Sequence, residues 1–280
     1  MIQRGDRMRN WQEVVFQYDG TFNGFLCCIY ESYINKEFPI AFSSDEECWS
    51  LYEVRYISTD LAHAQRIRRS IVNISSNAAD ILRRAFLTCL DDKELHLYAF
   101  VRKLYQDGAS FLKNRSDPVY YPIAKALRHM SGELEKLRGF VRFSDYNGVL
   151  GGEIEPKNRV LPLLRRHFCD RYANENFFLY DRTHKEILLY AKGKSRIVPV
   201  EGFQLFSPDE QEIHYRTLWK RFFDTVSIQE RNNPRCQNTF LPKRYRNTMT
   251  EFLPITDTTD TPANGKGFSS PIVKSELAIP

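Results

Sequence analysis

The sequence predicts an α+β protein, with a mostly helical N-terminal region and a short strand pair, followed by an antiparallel sheet of about five strands packed with helices. Up to about residue 138, apolar residues recur mainly at three- and four-residue spacing, which is typical of amphipathic helices. From Gly139 onward, short β-type runs alternate with turn residues. We therefore divide the chain into a helical region at 13–138, an α+β region at 139–250 and a tail at 251–280.

The N-terminal region begins with a strand and a helix. Residues 14–18 form a β-type run that ends at the turn pair Asp19-Gly20. Thr21 is a suitable N-cap for the helix that begins at Phe22. A second strand is predicted at residues 51–57.

Four further helices are predicted before residue 138. The last of them follows a break at residues 114–118 and carries the clearest helical stripe in the chain. We predict that this stripe is buried; its members are Ile123, Leu127, Met130, Leu134 and Leu137.

The α+β region begins with a hairpin whose turn is Asn147-Gly148. A capping box at Ser207–Glu210 precedes a helix that we expect to bury four apolar residues. These four are Tyr215, Trp219, Phe222 and Val226. Residues 251–280 are rich in Thr, Pro, Ser and Gly without periodicity, which predicts a disordered tail.

Composition narrows the functional classes. The 280 residues carry a formal charge of +5, and the six cysteines include no CxxC pair. The histidines show no metal-ligand spacing, so we predict no metal and no cofactor. Nucleotide-binding and serine-hydrolase motifs are also missing. No apolar run reaches the roughly 18–20 residues that cross a bilayer, which favours a cytoplasmic protein without a membrane partner.

A basic segment near the C-terminus is the strongest functional signal. Residues 231–246 contain no Asp or Glu, whereas aromatic rings are interleaved with the cations. Such a segment is suited to neutralising phosphates and stacking on an exposed base. The candidate nucleic-acid-binding residues are Arg231, Arg235, Phe240, Lys243, Arg244, Tyr245 and Arg246. The alternative is a loop that packs back onto the sheet through its apolar residues.

Three carboxylates are weak catalytic candidates. Asp19 lies where a strand turns into a helix, a common position for ligand sites, although turn chemistry is the simpler explanation. Glu153 and Glu155 alternate on one strand and so share one face, where they would form an acid/base pair, bind Mg²⁺ or, more simply, belong to a solvated surface. Arg142 is expected to pair with one of these glutamates across the hairpin.

A second group of cations lies on the predicted helices. An ordinary solvated surface explains it more simply than a second phosphate-binding patch. The group consists of Arg66, Arg68, Arg69, Arg83 and Arg84.

Several stretches of the chain resemble an uncharacterised bacterial family called "probable DNA metabolism protein", a domain of unknown function. They are YDGTFNGFL (18–26), LRGFVRF (137–143), GEIEP (152–156), LPLLRRHF (161–168) and ERNNPRCQNTFLPKRY (230–245). The resemblance implies a partner of a radical-SAM protein ascribed to DNA repair, and some relatives carry a domain similar to uracil-DNA glycosylases. Many relatives have bulky residues where this chain has Gly151-Gly152.

Three functions therefore stay open at the level of sequence. The first is a DNA-binding accessory partner of a radical-SAM protein in DNA repair or modification. The second is a base-excising hydrolase that uses Asp19, Glu153 or Glu155 to activate water. The third is a protein-interaction module whose basic segment binds an acidic partner.

Overall fold

The computed structural model describes residues 11–45, 50–205, 207–226 and 233–253. The chain forms two compact units that divide between Ser131 and Gly132. Helices and a small sheet make up the first unit, and a five-stranded sheet with helices makes up the second. The predicted α+β class is confirmed.

The sheet of the first unit has three parallel strands, in the order β2-β1-β3. They are β1 (Gln12–Gln17), β2 (Glu37–Ser43) and β3 (Glu53–Tyr56). The sequence predicted a strand pair and missed β2, because Pro39 argues against a strand interior. Proline is tolerated here because β2 is an edge strand, and the pairing with β1 shifts register directly after Pro39.

The helices of the first unit cover this sheet with a shared apolar core. They are α1 (Phe22–Asn35), α2 (Leu61–Ile74), α3 (Ser76–Ala85), α4 (Lys93–Asp107) and the start of α5 (Tyr120–Phe140). Helix α1 begins as predicted, since the Thr21 hydroxyl accepts the Gly24 N–H at 2.9 Å. None of the described helices is both long and apolar enough to span a bilayer.

The predicted stripe of α5 is buried. Ile123 and Met130 are fully buried, while Leu134 and Leu137 are 6% and 3% exposed. Leu127 is partly buried. This prediction is confirmed.

Leu134→Ala is expected to lower the free energy of unfolding by about 2–5 kcal/mol, because it removes buried contacts and leaves a cavity. Chemical denaturation measures the change. Leu218→Ala is the matched control, since Leu218 is 46% exposed on a helix and its truncation should stay within about 0.5 kcal/mol. Equal stability of the Leu134 variant and the parent would contradict the assignment of this stripe to the core.

The sheet of the second unit has five strands in sequence order. They are β4 (Phe143–Asp145), β5 (Leu150–Ile154), β6 (Phe177–Asp181), β7 (Glu186–Ala191) and β8 (Lys194–Pro199). Asn147 and Gly148 both have positive φ, as a two-residue hairpin turn requires, so the predicted turn is confirmed. Strands β5 and β6 run parallel because helix α6 (Leu161–Arg171) crosses over between them, so the prediction of a purely antiparallel sheet was wrong at this pair.

The glycines of β5 make room for aromatic neighbours. A Cβ at Gly151 would overlap the rings of Phe178 and Tyr146. At Gly152 it would lie 3.1 Å from the Phe143 ring. The glycine pair is therefore matched to large side chains on the adjoining strands.

Three helices complete the described part of the second unit: α7 (Glu210–Val226), α8 (Pro234–Phe240) and α9 (Lys243–Arg246). The N-cap of α7 is Asp209, whose Oδ1 accepts the Glu212 N–H at 2.8 Å, rather than Ser207 of the predicted capping box. A short 3₁₀ turn at Thr250–Phe252 follows α9.

The predicted burial of α7 was wrong. Tyr215, Trp219, Phe222 and Val226 are 41–60% exposed. The helix instead packs through polar residues: Glu212 is buried and accepts the N–H of Asp145 on β4. Its other oxygen pairs with Arg216 at 2.8 Å, and Arg216 also donates to Ser144.

The predicted tail begins too early. Glu251 is buried and its carboxylate binds the Arg142 guanidinium at 2.7 Å. Arg142 therefore pairs with Glu251 and not, as predicted, with a glutamate of β5. The remainder of the predicted tail, residues 254–280, lies outside the described residues.

Candidate nucleic-acid interface

The basic segment folds into two short helices. Asn233 caps α8 by accepting the Cys236 N–H at 3.0 Å, and Pro234 occupies the first helical position. Pro242 then precedes α9. Arg231, the first predicted cation, lies outside the described residues.

Two of the predicted contact residues face inward. Tyr245 is 4% exposed and packs edge-on against Phe140, with ring centroids 5.6 Å apart. The Arg244 guanidinium lies 4.5 Å from the centre of the Tyr245 ring and donates to its hydroxyl. A buried ring cannot stack on a base, so the stacking role predicted for Tyr245 has no place in this geometry.

The carboxylate of Glu133 on α5 binds the inward-facing side of the basic segment. It accepts the backbone N–H groups of Lys157 at 3.0 Å and Asn158 at 2.9 Å, and the Asn158 side-chain amide at 2.7 Å. Arg244 reaches the same carboxylate at 2.8 Å. Burial alone would raise the pKa of Glu133, but these donors outweigh it and hold the pKa below its ordinary value. Three distant parts of the sequence thus meet at one buried anion.

The other residues of the segment face outward. Arg235 and Lys243 are exposed, and Phe240 is 72% exposed. Arg246 is intermediate: it donates to Asn238 at 3.0 Å and lies 5.1 Å from the centre of the Phe252 ring. The segment therefore has an anchored inner side and a cationic outer side.

Helix α7 adds an exposed apolar face that sequence reasoning assigned to the core. We call it the α7 aromatic stripe; its members are Tyr215, Leu218, Trp219, Phe222, Phe223 and Val226, each at least 40% exposed. Trp219 and Phe222 stack with centroids 5.7 Å apart, and the Arg142 guanidinium lies 5.9 Å from the centre of Trp219. Lys220 and Arg221 lie between these residues in sequence, but the turn of about 100° per residue places both on the flanks of α7, outside the stripe.

Phe252 joins the α7 aromatic stripe to the basic segment. Its ring meets Phe223 edge-on at 5.5 Å on one side and the Arg246 guanidinium on the other. Lys220 donates to the carbonyl of Leu253 at 3.5 Å. The two features therefore form one continuous surface of the second unit.

Charge is concentrated in this part of the chain. Residues 213–250 contain eight Lys or Arg and two Asp or Glu, a net +6, against +5 for all 280 residues. Arg216 and Arg244 within this range are paired with Glu212 and Glu133, so the net positive charge that is free to meet an anion is smaller than +6.

Asp19 lies at the carboxyl ends of the parallel strands, between β1 and β3. Its two oxygens accept hydrogen bonds from the Thr59 hydroxyl at 2.7 Å and from the Thr21 hydroxyl and N–H at 2.7 and 2.9 Å. Burial tends to raise the pKa of Asp19, but these bonds prevail and lower it. A Cβ at Gly24 would overlap the same carboxylate. These contacts connect the strand ends to α1. Because they lower the pKa of Asp19, they also make its carboxylate a weaker base.

Glu153 and Glu155 share one face, as their alternation predicts. Both bind the same guanidinium: Arg182 is 3.2 Å from Glu153 and 2.9 Å from Glu155. Burial raises the pKa of Glu153, and the nearby Arg182 offsets this only in part. The pair is bridged by a cation rather than placed around a vacant centre.

The arginines of α2 and α3 divide between several contacts. Arg68 and Arg83 line one open groove of about 290 Å³ with an apolar floor, where Arg83 pairs with Asp80. Arg66 lies over Tyr30 and Arg84 donates to Ser131. Across the described ranges, no three His, Cys, Asp or Glu side chains are arranged to hold a metal ion.

Fold and surface together define an α+β protein with a cationic, aromatic face on its second unit. The chain belongs to the family of the domain of unknown function DUF4130, whose model matches residues 91–251, more than half of its length. No curated protein matches it.

Proposed function

We propose that this protein binds nucleic acid and serves as an accessory partner of a radical-SAM protein in DNA repair or modification. One observation carries the binding proposal: a buried anchor at Glu133 holds Arg244 and Tyr245 inward, while Arg235, Phe240 and Lys243 are presented outward. The pathway, the radical-SAM partner and the cytoplasmic location rest on the sequence, the first two on the resemblance of its motifs to "probable DNA metabolism protein".

Charge supports phosphate as the group that is recognised. The outer cations are spread over three helices, α7, α8 and α9, rather than gathered around one pocket, which suits an extended polyanion better than a small ligand. Arg244, Arg142 and Arg216 are already paired with buried carboxylates. The outer residues Lys220, Arg221, Arg235 and Lys243 are the ones we assign to phosphates.

The alternative of a base-excising hydrolase would rest on the three carboxylates. Asp19 accepts hydrogen bonds from two hydroxyl groups and one N–H, and Glu153 and Glu155 are bridged by Arg182. These contacts favour structural roles for the three carboxylates, so we favour the accessory function over the hydrolase.

The proposal is tested by measuring DNA binding across a salt series and running the products on a gel. We expect log K to fall with log salt with a slope of about −2 to −4, since each neutralised phosphate contributes roughly −0.7 to −0.9. No base loss is expected from the protein alone. Abasic product that disappears in Asp19→Asn or Glu155→Gln would establish the hydrolase instead. Absence of binding at low salt would overturn the proposal and favour a protein-interaction module.

A further inference from the structure

We propose that the ligand is single-stranded nucleic acid, with unpaired bases stacked on the α7 aromatic stripe and on Phe240. This inference rests on the proposed function and specifies its substrate class. Every residue involved lies in the second unit, on the surface that Phe252 makes continuous.

The spacing of the rings suits a strand. Trp219 and Phe222 stack on each other with centroids 5.7 Å apart, so they form one platform that offers its outer faces to bases. With a helical rise of about 1.5 Å per residue, Tyr215 lies about 6 Å from Trp219 along the axis of α7, which suits a neighbouring base in a strand stretched from the roughly 3.4 Å of B-DNA. Aromatic side chains bind any base in this way because every base has a π-face.

The cations around the rings favour nucleic acid over an apolar protein partner. Arg142 lies near Trp219, Arg246 lies near Phe252, and Lys220 and Arg221 belong to α7 itself. Arg142 is already paired with Glu251. An apolar partner covering the stripe would remove the charges of Lys220, Arg221 and Arg246 from water, which is costly. A nucleotide instead supplies a base for the aromatic surface and a phosphate for a neighbouring cation.

Access to the bases selects the single-stranded form. In a duplex the flat faces of the bases are stacked on one another, so the exposed rings of α7 would meet only the backbone. An unpaired strand can turn its bases toward the protein and its phosphates toward the flanking cations.

A pair of matched oligomers tests this inference. We would compare an oligothymidylate of about 12 nucleotides, within the usual site size, with an abasic oligomer of equal length and equal phosphate count, by fluorescence anisotropy at one salt concentration. We expect the base-bearing oligomer to bind at least about 10-fold more tightly than the abasic oligomer and than duplex DNA of the same length. Trp219→Ala/Phe222→Ala should reduce its affinity to the abasic level. Tyr56→Ala/Tyr121→Ala is the control, because both tyrosines are more than half exposed in the first unit.

The outcomes separate this inference from the proposed function. Equal binding of the base-bearing and abasic oligomers would overturn stacking while leaving phosphate recognition intact. Preference for the duplex would also overturn it. Failure of every oligomer to bind would remove the proposed function as well. If Trp219→Ala/Phe222→Ala converted a dimer to a monomer in sedimentation and left oligomer binding unchanged, the stripe would be a protein interface instead.

Discussion

Glu133→Ala is expected to lower the free energy of unfolding by about 2–4 kcal/mol, because the buried Glu133 carboxylate is the acceptor for several donors that lose their partner. The change leaves Arg244 without its carboxylate and leaves the N–H groups of Lys157 and Asn158 without an acceptor. Chemical denaturation with matched m-values gives the difference directly.

The neighbouring glutamate provides the control. Glu135 is on the same helix, its side chain is 71% exposed, and it forms a surface pair with Arg138 at 2.7 Å. Glu135→Ala should therefore change the free energy of unfolding by no more than about 1 kcal/mol. If both variants lost the same stability, the buried network would have no special role.

The same anion makes stability depend on pH in a defined direction. The folded pKa of Glu133 is lowered, so its contribution is fully present above the unfolded pKa of about 4.3 and is lost as pH falls through the folded value. Glu133→Gln lacks this ionisation. The stability difference between parent and Glu133→Gln should therefore be largest near neutral pH and shrink below about pH 4. A difference that stays constant across this range would show that the charge of Glu133 contributes nothing.

Helix periodicity predicted α5 well and α7 badly, and the comparison shows what spacing can and cannot tell. Both helices carry apolar residues at three- and four-residue intervals, yet the α5 stripe is buried and the α7 aromatic stripe is exposed. Spacing identifies an apolar face without identifying what covers it. In α7 the packing is decided by Glu212, which binds the backbone of Asp145, 67 residues earlier in the sequence.

The inner side of the candidate interface depends on contacts of the same kind. Arg244 and Tyr245 look like exposed contact residues because local composition is basic and aromatic. Their burial follows from Glu133, which is 111 residues away from Arg244 in sequence. No local pattern reveals such a partner, whereas Arg235 and Phe240 are exposed, as a contact with nucleic acid would require.

The parallel pair in the second sheet could have been predicted. Residues 161–172, with Pro162 in the first turn, have a helical pattern and lie between the strands now seen as β5 and β6, and a helical crossover is the usual connection between parallel neighbours. Strand β2 was less accessible to prediction, because its proline is compatible with a strand only at a sheet edge, and edge position is decided by tertiary structure.

Arg235→Glu/Lys243→Glu is expected to weaken DNA binding by about 100- to 1000-fold at roughly 50 mM salt, and to reduce the steepness of the salt dependence by about two. Each substitution removes a candidate phosphate contact and adds a repulsive charge. Both side chains are exposed, so folding should be unaffected. Arg244 is unsuitable for this test, because reversing its charge would disrupt the Glu133 network and confuse loss of contact with loss of structure.

A second charge-reversal variant distinguishes a localised phosphate-binding site from attraction by the overall charge of the protein. Lys113→Glu/Arg115→Glu changes the net charge by the same amount, at exposed positions of the first unit. If the phosphate contacts are those of Arg235 and Lys243, this control should bind DNA nearly as the parent does at the same salt concentration. Equal losses in both variants would mean that DNA responds to overall charge alone. A loss confined to Arg235→Glu/Lys243→Glu would locate the phosphate contacts on α8 and α9, because both variants change the net charge by the same amount and differ only in position.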